Sequence, residues 1–254
     1  MTMALLEGQI AIVTGASRGI GGGAALALAR AGAGVGLIAR NATALSELEA
    51  TIRGQGVGKV SLRVADVADP VKLRHAVESL SEELGPPSIL VNNAGAIDRT
   101  ATEEMTEESW RRVFDTNVGG AVTAARAVLP SMKELGGGSI INVASLSAHF
   151  GVRRASSYGA SKSALLGLTR ALALEWAPHH IRVNAITPGY IATDFTAKLT
   201  QNSERTASIL ARIPLGRWGS PQDIAGTVVY LGSSLSDYVT GQVVVVDGGY
   251  SIDG

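Results

Sequence analysis

The sequence predicts a single α/β domain built on a doubly wound parallel sheet with helices on both faces, and three observations carry that prediction. Short aliphatic runs alternate with longer helical patterns along all 254 residues. The runs are apolar on consecutive positions, as in strands covered on both faces, not on alternate positions, as in half-exposed ones. The first run is followed at once by a glycine-rich turn opening into a helix, the arrangement with which Rossmann-type sheets take up phosphates.

The runs read as strands are 10–13, 35–38, 60–64, 89–91, 140–143, 181–186 and 243–246. Between them, 24–31, 42–53, 71–84, 107–135, 157–177 and 222–231 carry helical patterns. Strand–helix alternation at this spacing is that of βαβ units. Gly136–Gly138 reads as a turn feeding the fifth strand, and no interdomain linker or internal repeat is visible, so residues 1–254 are expected to form one unit. From Tyr190 to about Ser220 a helical pattern runs without a strand. A segment of this kind, inserted before the last helix, is expected to form a substrate lid.

Composition narrows the function. With 46% hydrophobic and 17% charged residues, the chain can bury a core and is not of disordered type. Lys+Arg and Asp+Glu are both 22, so no basic surplus points to nucleic acid and no charge block to a membrane surface. No apolar run approaches the ~20 residues that span a bilayer. Cysteine is absent, which removes disulfides, thiolate ligands and cysteine nucleophiles. The N-terminus lacks the basic region of a signal peptide. The expected setting is soluble and cytoplasmic.

The turn after the first strand reads Thr14-Gly15-Ala16-Ser17-Arg18-Gly19-Ile20-Gly21. Glycine lets the backbone approach a phosphate, and a helix N-terminus offers free N–H groups and a positive dipole end. No Gly-Lys-Ser/Thr follows, which excludes a P-loop. Gly22 and Gly23, inside the opening helix, cost roughly 1 kcal/mol each against alanine and suggest tight helix–sheet packing or mere tolerance. The second strand ends Ala39-Arg40-Asn41 with no acid to accept from a ribose 2′-hydroxyl. Arg40, with Arg18, therefore favours NADP over NAD. Asp66 and Val67 stand where an adenine would lie, and Asn93, Ala94 and Gly95 close the fourth strand. The alternatives are a turn aspartate at 66 and a solvated arginine at 40.

Tyr158 and Lys162 are four residues apart in a helical stretch and share a face. A free phenol titrates near ~10, too high for proton exchange at neutral pH, and a nearby ammonium lowers that value. Ser145, at the end of the fifth strand, lies at the carboxyl edge where open sheets bind ligands, and its hydroxyl suits a substrate oxygen. Ser147, His149 and Tyr190 are candidates for the substrate pocket. His75, His179 and His180 read as surface residues, and no histidine–carboxylate set has metal spacing.

Taken together, the ordered segments TGASRGIG (14–21), NNAG (92–95), Asn117 in DTNV, Ser145 in INVAS, YGASK (158–162), PG (188–189) and VDGG (246–249) resemble the short-chain dehydrogenase/reductase family over essentially the whole chain. The resemblance implies Tyr158 as proton donor or acceptor, Lys162 as its modulator and a ribose ligand, Ser145 as ligand of the substrate oxygen, and Asn117 as holder of a relay water. It extends the cofactor set through Pro188, Gly189, Ile191 and Thr193, and it implies a homotetramer. From Ser156 onward the chain is most similar to sugar-acid enzymes of the gluconate 5-dehydrogenase and 2-deoxygluconate 3-dehydrogenase group. That resemblance implies Arg99, near where such enzymes often carry arginine, as a candidate partner for a substrate carboxylate, the alternative being a surface arginine. The expectation is an NADP-dependent oxidoreductase of a polar keto or hydroxy acid. The alternatives are a 3-oxoacyl-acyl-carrier-protein reductase, which shares every catalytic motif, and a non-catalytic dinucleotide sensor, which would not need Ser145, Tyr158 and Lys162 together. A methyltransferase has no use for that trio.

Overall fold

The computed structural model describes residues 4–56, 58–200 and 203–252. Its seven strands are β1 (Ile10–Thr14), β2 (Gly34–Ala39), β3 (Val60–Val64), β4 (Ile89–Asn92), β5 (Gly138–Val143), β6 (Ile181–Pro188) and β7 (Val243–Val246). They form one parallel sheet in the order β3-β2-β1-β4-β5-β6-β7. The chain leaves β1 for β2 and β3 on one side, then crosses back to β4 on the other. That reversal opens a crevice at the carboxyl ends of β1 and β4, where doubly wound sheets bind ligands.

The helices are α1 (Gly19–Arg30), α2 (Ala42–Gly54), α3 (Pro70–Leu84), α4 (Glu107–Phe114), α5 (Gly120–Glu134), α6 (Ser156–Trp176), α7 (Ala197–Thr200), α8 (Ser203–Leu210) and α9 (Pro221–Gly232). One sheet face packs on α1, α2 and α9 through Val13, Val35, Leu37, Leu28, Leu45 and Val228. The other packs on α3, α5 and α6 through Ile12, Ile38, Leu90, Leu80, Val128 and Trp176. Covering both faces explains the consecutive apolar runs, and every residue of β2 is buried. The edges differ: none of the four valines of β7 is buried, and Val64 at the end of β3 is exposed.

Two elements depart from the sequence reading. α1 begins at Gly19, five residues before the expected start, because four glycines in its first five residues and an exposed cap hide its periodicity. Gly23 faces α9 instead of the sheet: a Cβ there would come within 2.8 Å of Pro221. The expected single helix 107–135 is interrupted by a π turn over Asp115–Gly119, a feature that often marks functional positions, and this one carries Asn117. Segment 190–220 holds α7 and α8 but also an isolated bridge, Ile191 to Gly219, that ties its two ends together. Beyond it, Ile209, Ile213 and Leu210 pack with Leu146, Tyr190, Trp218 and Tyr250 as a small separate core.

Candidate active site

A cleft of about 570 Å³ follows the carboxyl edge from Ala39, Arg40 and Asp66, past the glycine turn, to Ser145 and Tyr158. The turn is built for close approach. Gly15 has φ +64 and lies so near the end of β4 that a Cβ would stand 2.8 Å from the Ala94 Cα. Thr14 Oγ1 accepts from the backbone N–H groups of Asn93 and Ala94, and Asn93 Nδ2 donates to the Thr14 and Gly15 carbonyls. Gly21 leaves room for that amide. Asn93 thus staples the turn, while Gly95 faces the other end of the cleft, its Cβ position 3.6 Å from Lys162 Nζ. Arg18 caps α1 without a side-chain bond, and no acid sits in the first turn, so the helix presents its N–H groups and dipole to an anion. Ser17, Arg18, Gly19 and Ile20 line the cleft there, with Pro188, Gly189, Ile191 and Thr193 opposite. The site fits a dinucleotide.

The two arginines expected to face a 2′-phosphate both line the cleft, but each already has a carboxylate neighbour. Arg40 Nη1 is 3.5 Å from Asp66 Oδ2, and Arg18 Nη1 is 3.3 Å from Asp194 Oδ2, all four groups well exposed. Asp66 also accepts from Ala68 N in a local turn. The strand end itself carries no acid, as read, yet the acids of the next strand end and of segment 190–220 reach the arginines.

The catalytic end is ordered by buried bonds. Asn117 Oδ1 accepts from Ala96 N at 2.7 Å, and its Nδ2 donates to Ala96 O at 3.0 Å and Ser161 Oγ at 2.8 Å. All of its side-chain bonds go to the protein. Lys162, 3% exposed, donates to Val143 O at 2.7 Å. Ser145 Oγ accepts from Ser147 N at 3.2 Å, and its hydroxyl faces the Tyr158 phenol. Tyr158 is half-buried, with Lys162 Nζ 5.8 Å from its ring centre. Burial pushes the phenol up, against the Ser145 hydroxyl and the Arg99 guanidinium, which pull it down. Burial brings Lys162 down to about 8. The protein groups alone therefore do not bring the phenol toward neutrality as the Tyr–Lys spacing suggests.

At the substrate rim, Arg99, Ser147 and Tyr190 line the cleft. Ser147 Oγ is buried without a partner among the described residues. His149 is exposed, with Nε2 3.4 Å from Thr187 Oγ1; the ring that faces the cleft from this stretch is its neighbour Phe150. Sequence reasoning also missed Phe195, which leans on Tyr158 at 6.0 Å, and Arg112 and Arg205. Their signal was weak because they stand on α4, α8 and the 190–196 loop, beside the motifs and not within them, where no local pattern marks a side chain as facing the cleft. No group of three metal-ligating side chains occurs among the described residues. No helix there is long and apolar enough to cross a membrane.

A dinucleotide cleft that ends on a serine, a tyrosine and a buried lysine defines an oxidoreductase of CH–OH groups acting on a small molecule. A family model described as enoyl-(acyl carrier protein) reductase matches residues 15–251, and the chain belongs to the short-chain dehydrogenase/reductase family. It is 43% identical to the 2-dehydro-3-deoxy-D-gluconate 5-dehydrogenase of Dickeya dadantii, with 96% of each chain covered. It is 39% identical to a 3-oxoacyl-acyl-carrier-protein reductase of Thermotoga maritima, covering 97% of this chain and 99% of that one. A gluconate 5-dehydrogenase from Burkholderia cenocepacia, solved in complex with NADP and tartrate, superposes with a TM-score of 0.93 at 32% identity, covering 99% of this chain and 98% of that one.

Proposed function

We propose that the enzyme transfers a hydride between NADP(H) and a hydroxyl or keto group of a sugar acid such as gluconate or a deoxy-keto-gluconate. The observation that carries the substrate class is Arg99. It lines the cleft close enough to bias Tyr158, and its guanidinium has no hydrogen-bond or ion-pair partner among the described residues. An unpaired guanidinium beside the reacting end suits a planar carboxylate, which it can bind through two bonds. A fatty thioester has no use for it, which ranks the 3-oxoacyl reductase second. The name of the Dickeya relative and the tartrate of the Burkholderia structure point the same way.

In this reading the reduced cofactor, NADPH, would supply the hydride, and the oxidised form, NADP+, would accept it and place a positive ring beside the phenol. Gly15–Gly21, Asp66–Val67, Asn93–Gly95 and Pro188–Thr193 would hold the cofactor, with Lys162 as the ligand of its nicotinamide ribose. Ser145 and Tyr158 both donate to the substrate oxygen, and Tyr158 exchanges the proton. Asn117, with both amide protons given to Ala96 O and Ser161 Oγ, orients the π turn and Ser161, and would hold a relay water through an oxygen, of its side chain or of its backbone. Segment 190–220 is the lid, hinged at the Ile191–Gly219 bridge. Such an enzyme draws on the cytoplasmic nicotinamide pool. The unburied β7 edge, with exposed Leu174, Leu235 and Tyr238, supports assembly, and a homotetramer is the proposed form, checked by light scattering at micromolar concentration. The functional test is nicotinamide absorbance with gluconate, deoxy-keto-gluconates and acetoacetyl thioesters, each with NADP and NAD. Turnover confined to thioesters would overturn the reading.

A further inference from the structure

Arg99 is useful to a carboxylate only if it is held where the carboxylate arrives, and the loop that carries it is fastened in an unusual way. Residues 93–101, between β4 and the turn before α4, have no regular secondary structure. A guanidinium on such a loop would ordinarily lose affinity to the disorder of its own backbone. Here the peptides around it are tied on three sides. Asp98 Oδ1 accepts from Thr100 N at 2.7 Å, which closes a tight turn across Arg99. Asp98 Oδ2 accepts from the Ser109 hydroxyl on α4, and Arg112 Nη2 of the same helix lies 3.9 Å away. The Arg99 carbonyl itself accepts from Arg154 Nε at 3.1 Å. Arg154 holds φ +56, a left-handed conformation that costs a non-glycine residue on the order of 1 kcal/mol and persists where surrounding contacts fix it. The Ser109 and Thr100 bonds also hold the Asp98 carboxyl at about 2, so the clamp is ionised throughout the working range. Neither Asp98 nor Arg154 lines the cleft.

We propose that Asp98 and Arg154 are positioning residues that fix Arg99 for the carboxylate of the substrate, and so set the preference for acids over neutral polyols. The inference rests on the sugar-acid reading above. Asp98 grips α4 from one side of Arg99, and Arg154 grips its carbonyl from the segment leading into α6. Arg99 is thereby referenced to α4, which runs into the π turn of Asn117, and to the segment that leads into α6 with Tyr158, and the carboxylate is registered against the reacting carbon.

The test is a double-mutant cycle read as KM and kcat for the sugar acid, with NADP affinity and melting temperature measured beside it. Arg99→Met should raise KM about 10- to 100-fold, the range for losing a charge-assisted bond. Asp98→Ala should raise it about tenfold, with kcat within about a factor of two and NADP affinity unchanged, the signature of lost uniform binding. Arg154→Met and Ser109→Ala should move KM in the same direction, and Ser109→Ala does so without releasing Arg112. In the Arg99→Met background, Asp98→Ala should add nothing, because the clamp acts only through Arg99. An equal rise in both backgrounds, or loss of kcat and NADP binding together with melting temperature, would overturn the clamp. An Arg99→Met enzyme with unchanged KM for acids would instead sink the carboxylate reading and the clamp with it.

Discussion

At the catalytic end of the cleft the groups that set geometry are buried and bonded to the protein, whereas at the adenosine end the groups that choose between cofactors are exposed ion pairs. Asn117 and Lys162 are 1% and 3% exposed, and each bonds to a backbone carbonyl. Arg40 and Arg18 are 78% and 73% exposed, each beside a carboxylate. Buried polar bonds are expensive to leave unmade and hold one arrangement. Exposed pairs contribute at most about 1 kcal/mol and exchange partners readily. Chemistry is therefore built rigidly here, and cofactor preference is built softly.

The largest effect that tests this contrast is at Tyr158. Tyr158→Phe removes the hydroxyl proposed to exchange the proton and leaves the ring packed on Phe195, so kcat should fall by at least ~10² with NADP affinity retained. Near-normal turnover would show that the buried end is scaffold and not chemistry.

Lys162 sharpens the same point through pH. Burial lowers its pKa from 10.5 to about 8, so between those values the unfolded chain binds more protons than the folded one. Stability attributable to Lys162 thus rises as pH goes from 8 to 10.5. Lys162→Met should melt higher than wild type at neutral pH, and the gap should narrow across that window. The same variant should bind NADP more weakly and lose activity, or move the basic limb of its pH–rate profile upward. A gap that stays constant would mean the lysine is not desolvated in solution.

How much of this was legible in the sequence follows the same divide. The sheet and the Ser145–Tyr158–Lys162 set are written in local patterns: aliphatic runs, a helix register of four, a serine at a strand end. The π turn at Asn117 is invisible because its residues read as ordinary helix. The pairing of Arg40 with Asp66 joins the ends of β2 and β3, and that of Arg18 with Asp194 spans most of the chain. No local pattern encodes either. His149 follows Ser145 by four and so reads as a pocket residue, but after the 3₁₀ turn over Leu146–Ala148 it is Phe150 that lines the cleft.

Cofactor choice tests the soft end. With both arginines exposed and paired, the NADP preference in kcat/KM should be about tenfold, the low end for a charge-assisted phosphate contact of roughly 1.5 kcal/mol. Replacing Ala39 with Asp and Arg40 with Ser should reverse it, since the new carboxylate would accept from a bare 2′-hydroxyl and repel the phosphate. A wild-type ratio at or below one would make the arginines surface residues and the cofactor NAD.

The smallest effect separates the pairs from the arginines themselves. A 2′-phosphate that takes Arg40 must draw it away from Asp66, 3.5 Å distant, and must tolerate that carboxylate nearby. Asp66→Asn keeps the turn bond to Ala68 N, because the amide oxygen still accepts, but removes the competing charge. An exposed pair contributes about 0.2–1 kcal/mol, so the NADP to NAD ratio should rise about 1.5- to 5-fold. The rise should shrink at high salt, where exposed charges are screened. If Asp66 also meets the adenine, both cofactors lose that contact equally, so KM for each would climb while the ratio still moves in the stated direction. A fall in the ratio would mean that Asp66 serves to hold Arg40 toward the phosphate, and that the adenosine end is preorganised after all.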